Sequence, residues 1–140
     1  MGDDMGILDN LKNLFGKKEK SDLPFSIRMH FVPIRLDSYK NNSTTLFINI
    51  KNLQDDEVLT SIDISCDKEL GLDQSCITKR KEIRLGFLKK NEEREVKVPI
   101  YCSVTTPPGD YEITVSAIAH YRTYEYVNNS VKTSQKLRVV

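Results

Sequence analysis

An antiparallel all-β sandwich of about seven strands, behind one short amphipathic helix, is the fold this sequence predicts. Three observations point there. From Pro24 onward the apolar residues recur with a period of two. Turn-forming residues separate the successive runs, and no helical-period segment interrupts them. A chain of 140 residues, 39% hydrophobic and 29% charged, also has enough apolar material to bury one ordinary core without metal or disulfide staples.

The first element is the exception. In residues 5–17, Ile7, Leu8, Leu11, Leu14 and Phe15 fall at the three-and-four spacing that gathers one apolar stripe on a helix. Asp9 stands early and Lys17 and Lys18 late, which suits the helix dipole, and Gly16 supplies a stop. Lys17 to Asp22 is charged and reads as a linker, so the chain divides into residues 1–22 and a β domain over 23–140.

The strands follow in order. Phe25, Ile27, Met29 and Phe31 alternate with polar partners, and Pro33 restricts this run to an edge or a bend. Leu46, Ile48 and Ile50 make a second run; Thr60, Ile62, Ile64 and Cys66 a third; Ile83, Leu85 and Phe87 a shorter fourth. Val96, Val98, Ile100 and Cys102 point one way in a fifth. Tyr111, Ile113, Val115, Ala117 and Ala119 form the longest alternation. A turn at Asn128-Asn129-Ser130 is expected to precede a last strand from Gln135 to Val140.

Three of these segments, the strand ending in Lys51-Asn52-Leu53, Glu95 to Ile100 and Pro107-Pro108-Gly109-Asp110-Tyr111-Glu112-Ile113-Thr114-Val115, resemble immunoglobulin-like domains of the CARDB and related bacterial and archaeal accessory type. The resemblance covers roughly residues 25–140. It implies a sandwich in which the Pro-Gly-Asp-Tyr turn opens the penultimate strand and its Tyr packs at a corner. It implies no activity. The antibody pattern of two Cys around a Trp is missing, since the chain has no Trp, and the charged stretch Asp67 to Lys81 is longer than the compact pattern needs. The segment MGILDNLKNLFGKKEK is likewise similar to the short membrane-targeting helices of peripheral prokaryotic proteins.

Function classes narrow by what the residues lack. No nucleophile elbow, phosphate-cradling glycine run or HExxH motif occurs, and His30 and His120 are expected on the outer sheet face; a small hydrolase using His120 is the remainder reading. No enzyme and no cofactor is therefore expected. Cys66, Cys76 and Cys102 lack paired metal-ligand spacing, so free thiols are expected and no metal site. An odd number of widely spaced cysteines, with no secretory leader, suggests the cytoplasm. Gly2 is no myristoylation signal, because Gly6 stands where Ser or Thr is needed.

What remains is binding. The stripe Ile7, Leu8, Leu11, Leu14 and Phe15 either covers the sandwich or docks on a membrane surface or a partner, and the charged linker favours the external role, at the inner face of the membrane. His120, Tyr121, Tyr124 and Tyr126 form the candidate interaction face for a protein partner. The basic cluster Lys79, Arg80, Lys81, Arg84, Lys89 and Lys90 supports an alternative, nucleic-acid binding, but interleaved carboxylates and a net charge of +1 disfavour it. Edge strands leave room for a homodimer.

Overall fold

The computed structural model describes residues 23–140. The helix expected over 5–17, with Ile7, Leu8, Leu11, Leu14 and Phe15, lies outside the described residues. Within them the chain is all β, as the alternation predicts.

Eight strands form two sheets, one more than the expected seven. They are β1 (Phe25–Val32), β2 (Arg35–Leu36), β3 (Asn42–Asn52), β4 (Val58–Cys66), β5 (Arg80–Leu88), β6 (Glu93–Cys102), β7 (Gly109–His120) and β8 (Val127–Val139). The extra one is β2, whose two residues are too few to show any periodicity. One sheet runs β1-β3-β6 and the other β2-β8-β7-β4-β5. All pairings are antiparallel except β2 with β8, where Arg35 meets Arg138 and Leu36 meets Val139.

The core lies between the sheets and is built from the predicted inward sets. Leu46, Ile48 and Ile50 of β3 and Val98 and Ile100 of β6 face Ile62 and Ile64 of β4 and Ile113 and Val115 of β7. Burying each such side chain is worth roughly 1.5–3 kcal/mol before entropy. Tyr111 packs into the same core and its hydroxyl donates to the Pro107 carbonyl at 2.6 Å, closing the corner expected of the Pro-Gly-Asp-Tyr turn. Asn52 joins the two layers. Fully buried at the end of β3, its Nδ2 donates to the carbonyls of Asp56 and Leu88 at 3.0 Å each, and its Oδ1 accepts the Gln54 amide at 2.9 Å.

Three local expectations change. Phe87, expected inside, is 55% exposed, and Leu88 takes its place in the core. The cause is a bulge: Thr60 faces Gly86 while Ser61 faces Arg84, so one extra residue shifts the alternation by one. Gly86 has a φ of 76° there, a conformation that glycine adopts without a Cβ clash. Asn128-Asn129-Ser130 is strand, not turn, because β8 begins at Val127; the reversal occurs at Tyr121–Tyr126 instead. The charged segment after Cys66, longer than the compact pattern needs, still adds to the core. Leu70 and Leu72 enter the core, and Gly71 bridges to Tyr101.

Candidate functional site

The outer face of the five-stranded sheet carries a connected set of polar and aromatic contacts at one end, under the β7–β8 hairpin. Neighbouring strands set it up. Leu59 of β4 pairs with His120 of β7, which pairs with Val127 of β8. Ser61 pairs with Ile118, so Ser61 and His120 are diagonal neighbours on one face, close enough for their side chains to meet. Ser61 Oγ and His120 Nε2 are 2.7 Å apart.

The hairpin loop then folds over them. Tyr121 N–H donates to the Tyr126 carbonyl at 2.9 Å and Thr123 N–H to the Tyr121 carbonyl at 2.7 Å, with Arg122 in the left-handed region at φ 68°. This geometry turns Tyr124 down onto the sheet. Its ring meets His120 edge to face at 5.0 Å, and its hydroxyl accepts the N–H of Gly86, beside the bulge, at 2.9 Å. The Arg84 guanidinium lies 4.5 Å from the Tyr124 ring centre. On the other side of the bulge, Arg94 donates to the Leu85 carbonyl at 3.0 Å. The Gly86 amide and the Leu85 carbonyl, both beside the bulge on this edge strand, thus find side-chain partners.

His120, expected at the surface, is buried in this way, at 8% exposure. Tyr121 and Tyr126 are exposed, and Tyr124 is half-buried. The predicted aromatic group therefore has two parts: His120 and Tyr124 anchor the loop, while Tyr121 and Tyr126 face solvent, with Arg122 5.1 Å from the Tyr121 ring centre. An open hollow of about 480 Å³ lies beside the anchor, lined by Asp63, Arg80, Glu82, Ile118, His120 and Tyr124.

A Ser–His contact at 2.7 Å has the spacing of a nucleophile and its base. Two further requirements are missing. Ser61 is fully buried, and His120 Nδ1 has no hydrogen-bond partner to orient the ring. The nearest acid along the strand, Asp63, is held by Arg80 through Nε at 2.9 Å. As built, the pair joins β4 to β7 as a buried polar contact. Sequence reading missed Ser61, because only the strand register reveals that it faces His120.

The basic cluster is largely committed to internal partners. The Lys79 ammonium turns inward and donates to the carbonyls of Lys68 at 2.8 Å, Cys76 at 2.7 Å and Leu70. Arg80 holds Asp63, Arg84 lies against Tyr124 and 3.7 Å from Glu82, and Lys90 pairs with Asp55 at 3.2 Å. Lys81 and Lys89 are exposed. The three cysteines are free thiols. Burial raises all three pKa values, that of Cys66 to about 11 against the partial offset of Lys79, so these thiols stay protonated and poorly nucleophilic at neutral pH. Among the described residues no three His, Cys, Asp or Glu side chains group as metal ligands.

No family model matches the chain, and no curated protein matches it. Solved structures do. Part of native alpha-2-macroglobulin from Escherichia coli, in a structure spanning domain MG7 to the C-terminus, is similar with a TM-score of 0.60 and 15% identity over 84% of this chain and 17% of that one. The Pseudomonas fluorescens alkylpurine DNA glycosylase AlkC, bound to DNA containing an abasic site analog, is similar with a TM-score of 0.52 and 12% identity over 84% of this chain and 30% of that one. The ASH/PapD-like domain of human CEP192 aligns with a TM-score of 0.45 and 14% identity, over 86% of this chain and 87% of that domain. This chain thus spans about a sixth of the first structure and under a third of the second. The likeness is one of fold, an immunoglobulin-like β domain, and at these identities carries no activity with it.

Proposed function

We propose that this chain is a non-enzymatic protein-binding adaptor of the cytoplasm. Its apolar stripe Ile7, Leu8, Leu11, Leu14 and Phe15 rests as a helix on the inner face of a membrane, and its β domain, of the accessory CARDB type, presents Tyr121 and Tyr126 to a protein partner. The observation that carries the reading is the division of labour in the β7–β8 hairpin. Tyr124 is spent on anchoring the loop, while Tyr121 and Tyr126 stand 57% and 61% exposed beside Val127 at 63%. Large aromatic rings held on a braced loop bind with little further loss of conformational freedom.

Two experiments on the full chain test it. Co-sedimentation with anionic phospholipid vesicles should fall when Ile7 and Leu11 are both changed to Asp; equal, negligible binding by both forms removes the membrane role. Capture of a partner should be lost in Tyr121→Ala/Tyr126→Ala with the fold intact, and capture that survives removes the hairpin role. Nucleic-acid binding through Lys79–Lys90 has less support, because most of those cations already have partners.

A further inference from the structure

The two flanks of the sandwich differ in how their edges are guarded. On one flank β5 carries Arg80, Lys81, Glu82 and Arg84, and β6 carries Glu93, Arg94, Glu95 and Lys97. Mixed charge of this kind discourages another strand from pairing. On the opposite flank β1 is the edge of the three-stranded sheet, and its sequence FSIRMHFV contains no carboxylate. Its one arginine, Arg28, is drawn aside to Asn49 at 3.1 Å and Glu93 at 3.3 Å. Across from it, β2 covers β8 only at Arg138 and Val139, so among the described residues the rest of that edge has no strand partner either.

Between these two edges runs a seam with two hollows in series. One, of about 490 Å³, lies against Leu23, Phe25 and Ile27; the other, of about 530 Å³, against Phe31 and Ile34. Leu23 and Ile34 are 47% and 75% exposed, so apolar surface marks both ends of the strand. The seam is also one-signed. Lys51 and Lys132 line the first hollow and Arg35, Lys136 and Arg138 the second, with no carboxylate in either lining. Only Arg138 has an ion-pair partner among the described residues, Asp110 at 3.1 Å. In a chain whose net charge is +1, that is a marked local excess.

We propose that this seam binds an extended, acidic peptide segment of a protein partner, which adds as a strand beside β1. The backbone groups of β1 that have no strand partner among the described residues supply the pairing. Two apolar side chains about four residues apart reach the two hollows, because along a strand residues at even spacing share a face. Carboxylates flanking them meet Lys51, Arg35, Lys132 and Lys136 at the rim. The inference rests on the reading of the chain as a binding module, and adds a second site and the chemistry of what it takes.

The test uses the full chain and fluorescence anisotropy of a labelled nine-residue peptide, with leucines four residues apart among serine and threonine and two aspartates at each end. Saturable binding is expected, weakened about ten-fold or more in Lys132→Glu/Lys136→Glu or when the aspartates are replaced by lysine. A version N-methylated at alternate amides should also lose binding, since it cannot form the ladder. No binding by the acidic peptide, or equal binding by its lysine version, overturns the proposal. So does a partnership within the chain or between copies. In the first case Asp3→Lys/Asp4→Lys/Asp9→Lys would bind the peptide about ten-fold better than the wild type; in the second, sedimentation would show a dimer that the peptide does not dissociate. Ile7→Asp/Leu11→Asp and Tyr121→Ala/Tyr126→Ala should leave peptide binding unchanged, which separates failure here from failure of the membrane and hairpin roles.

Discussion

Replacing Tyr124 with alanine should release the β7–β8 hairpin from the sheet while leaving the core intact. Three contacts are lost. The hydroxyl's hydrogen bond from Gly86 N–H is worth about 0.5–1.5 kcal/mol net. The edge-to-face contact with His120 adds about 0.5–1.5 kcal/mol, and the Arg84 guanidinium over the ring about 0.5–1 kcal/mol. Together these give about 1.5–4 kcal/mol, or roughly 6–15 °C in Tm for a domain of this size. Tyr124→Phe should lose only the first contribution. Urea unfolding followed by circular dichroism measures both, since the chain has no Trp to report by fluorescence. A second readout is chemical: His120 should resist diethyl pyrocarbonate in the wild type and react in Tyr124→Ala, with exposed His30 as the internal reference. An alanine variant within about 0.5 kcal/mol of wild type, with His120 still unreactive, would refute the idea that Tyr124 braces the loop.

Other perturbations probe the layers beneath. Asn52→Ala removes four side-chain hydrogen bonds at a fully buried position, two of them to the carbonyls of Asp56 and Leu88, so a loss of about 2–4 kcal/mol is expected in the same urea assay. Gly71→Ala would place a Cβ 2.3 Å from the Cys76 Cα, a backbone atom that cannot rotate away. A cost of at least about 1–3 kcal/mol should follow, and an unchanged midpoint would show that the loop shifts freely. The Cys66 thiol, raised from its ordinary 9.0 to about 11 by burial, holds its proton more tightly folded than unfolded. Its contribution is therefore complete below pH 9 and fades as pH rises toward 11, so the stability gap between wild type and Cys66→Ala should narrow over that window.

The strand interiors were legible in the sequence because burial on one face imposes a period of two. Leu46 to Ile50, Val96 to Cys102 and Tyr111 to Ala119 all face as their alternation indicates. The alternation failed at Phe87, where an inserted residue changes the phase, and a bulge leaves little trace in composition beyond the glycine that permits it. It failed again at Asn128–Ser130, where turn-forming residues are held in a strand by pairing with Ala119 and Ile118. The site was half legible. The tyrosines announced themselves, but which of them point outward, and that Ser61 meets His120, depends on register between strands far apart in sequence.

The Lys79 ammonium has a consequence for how this surface evolves. With its protons directed at the carbonyls of Lys68, Leu70 and Cys76, it ties together the segment from Asp67 to Thr78. Replacement by glutamine, or acetylation in place, would remove a fastener rather than a surface charge. The loop should then tolerate exchange of its outward side chains far better than loss of that one nitrogen. Its tolerance to mutation is set in large part by a nitrogen turned toward the loop's own carbonyls.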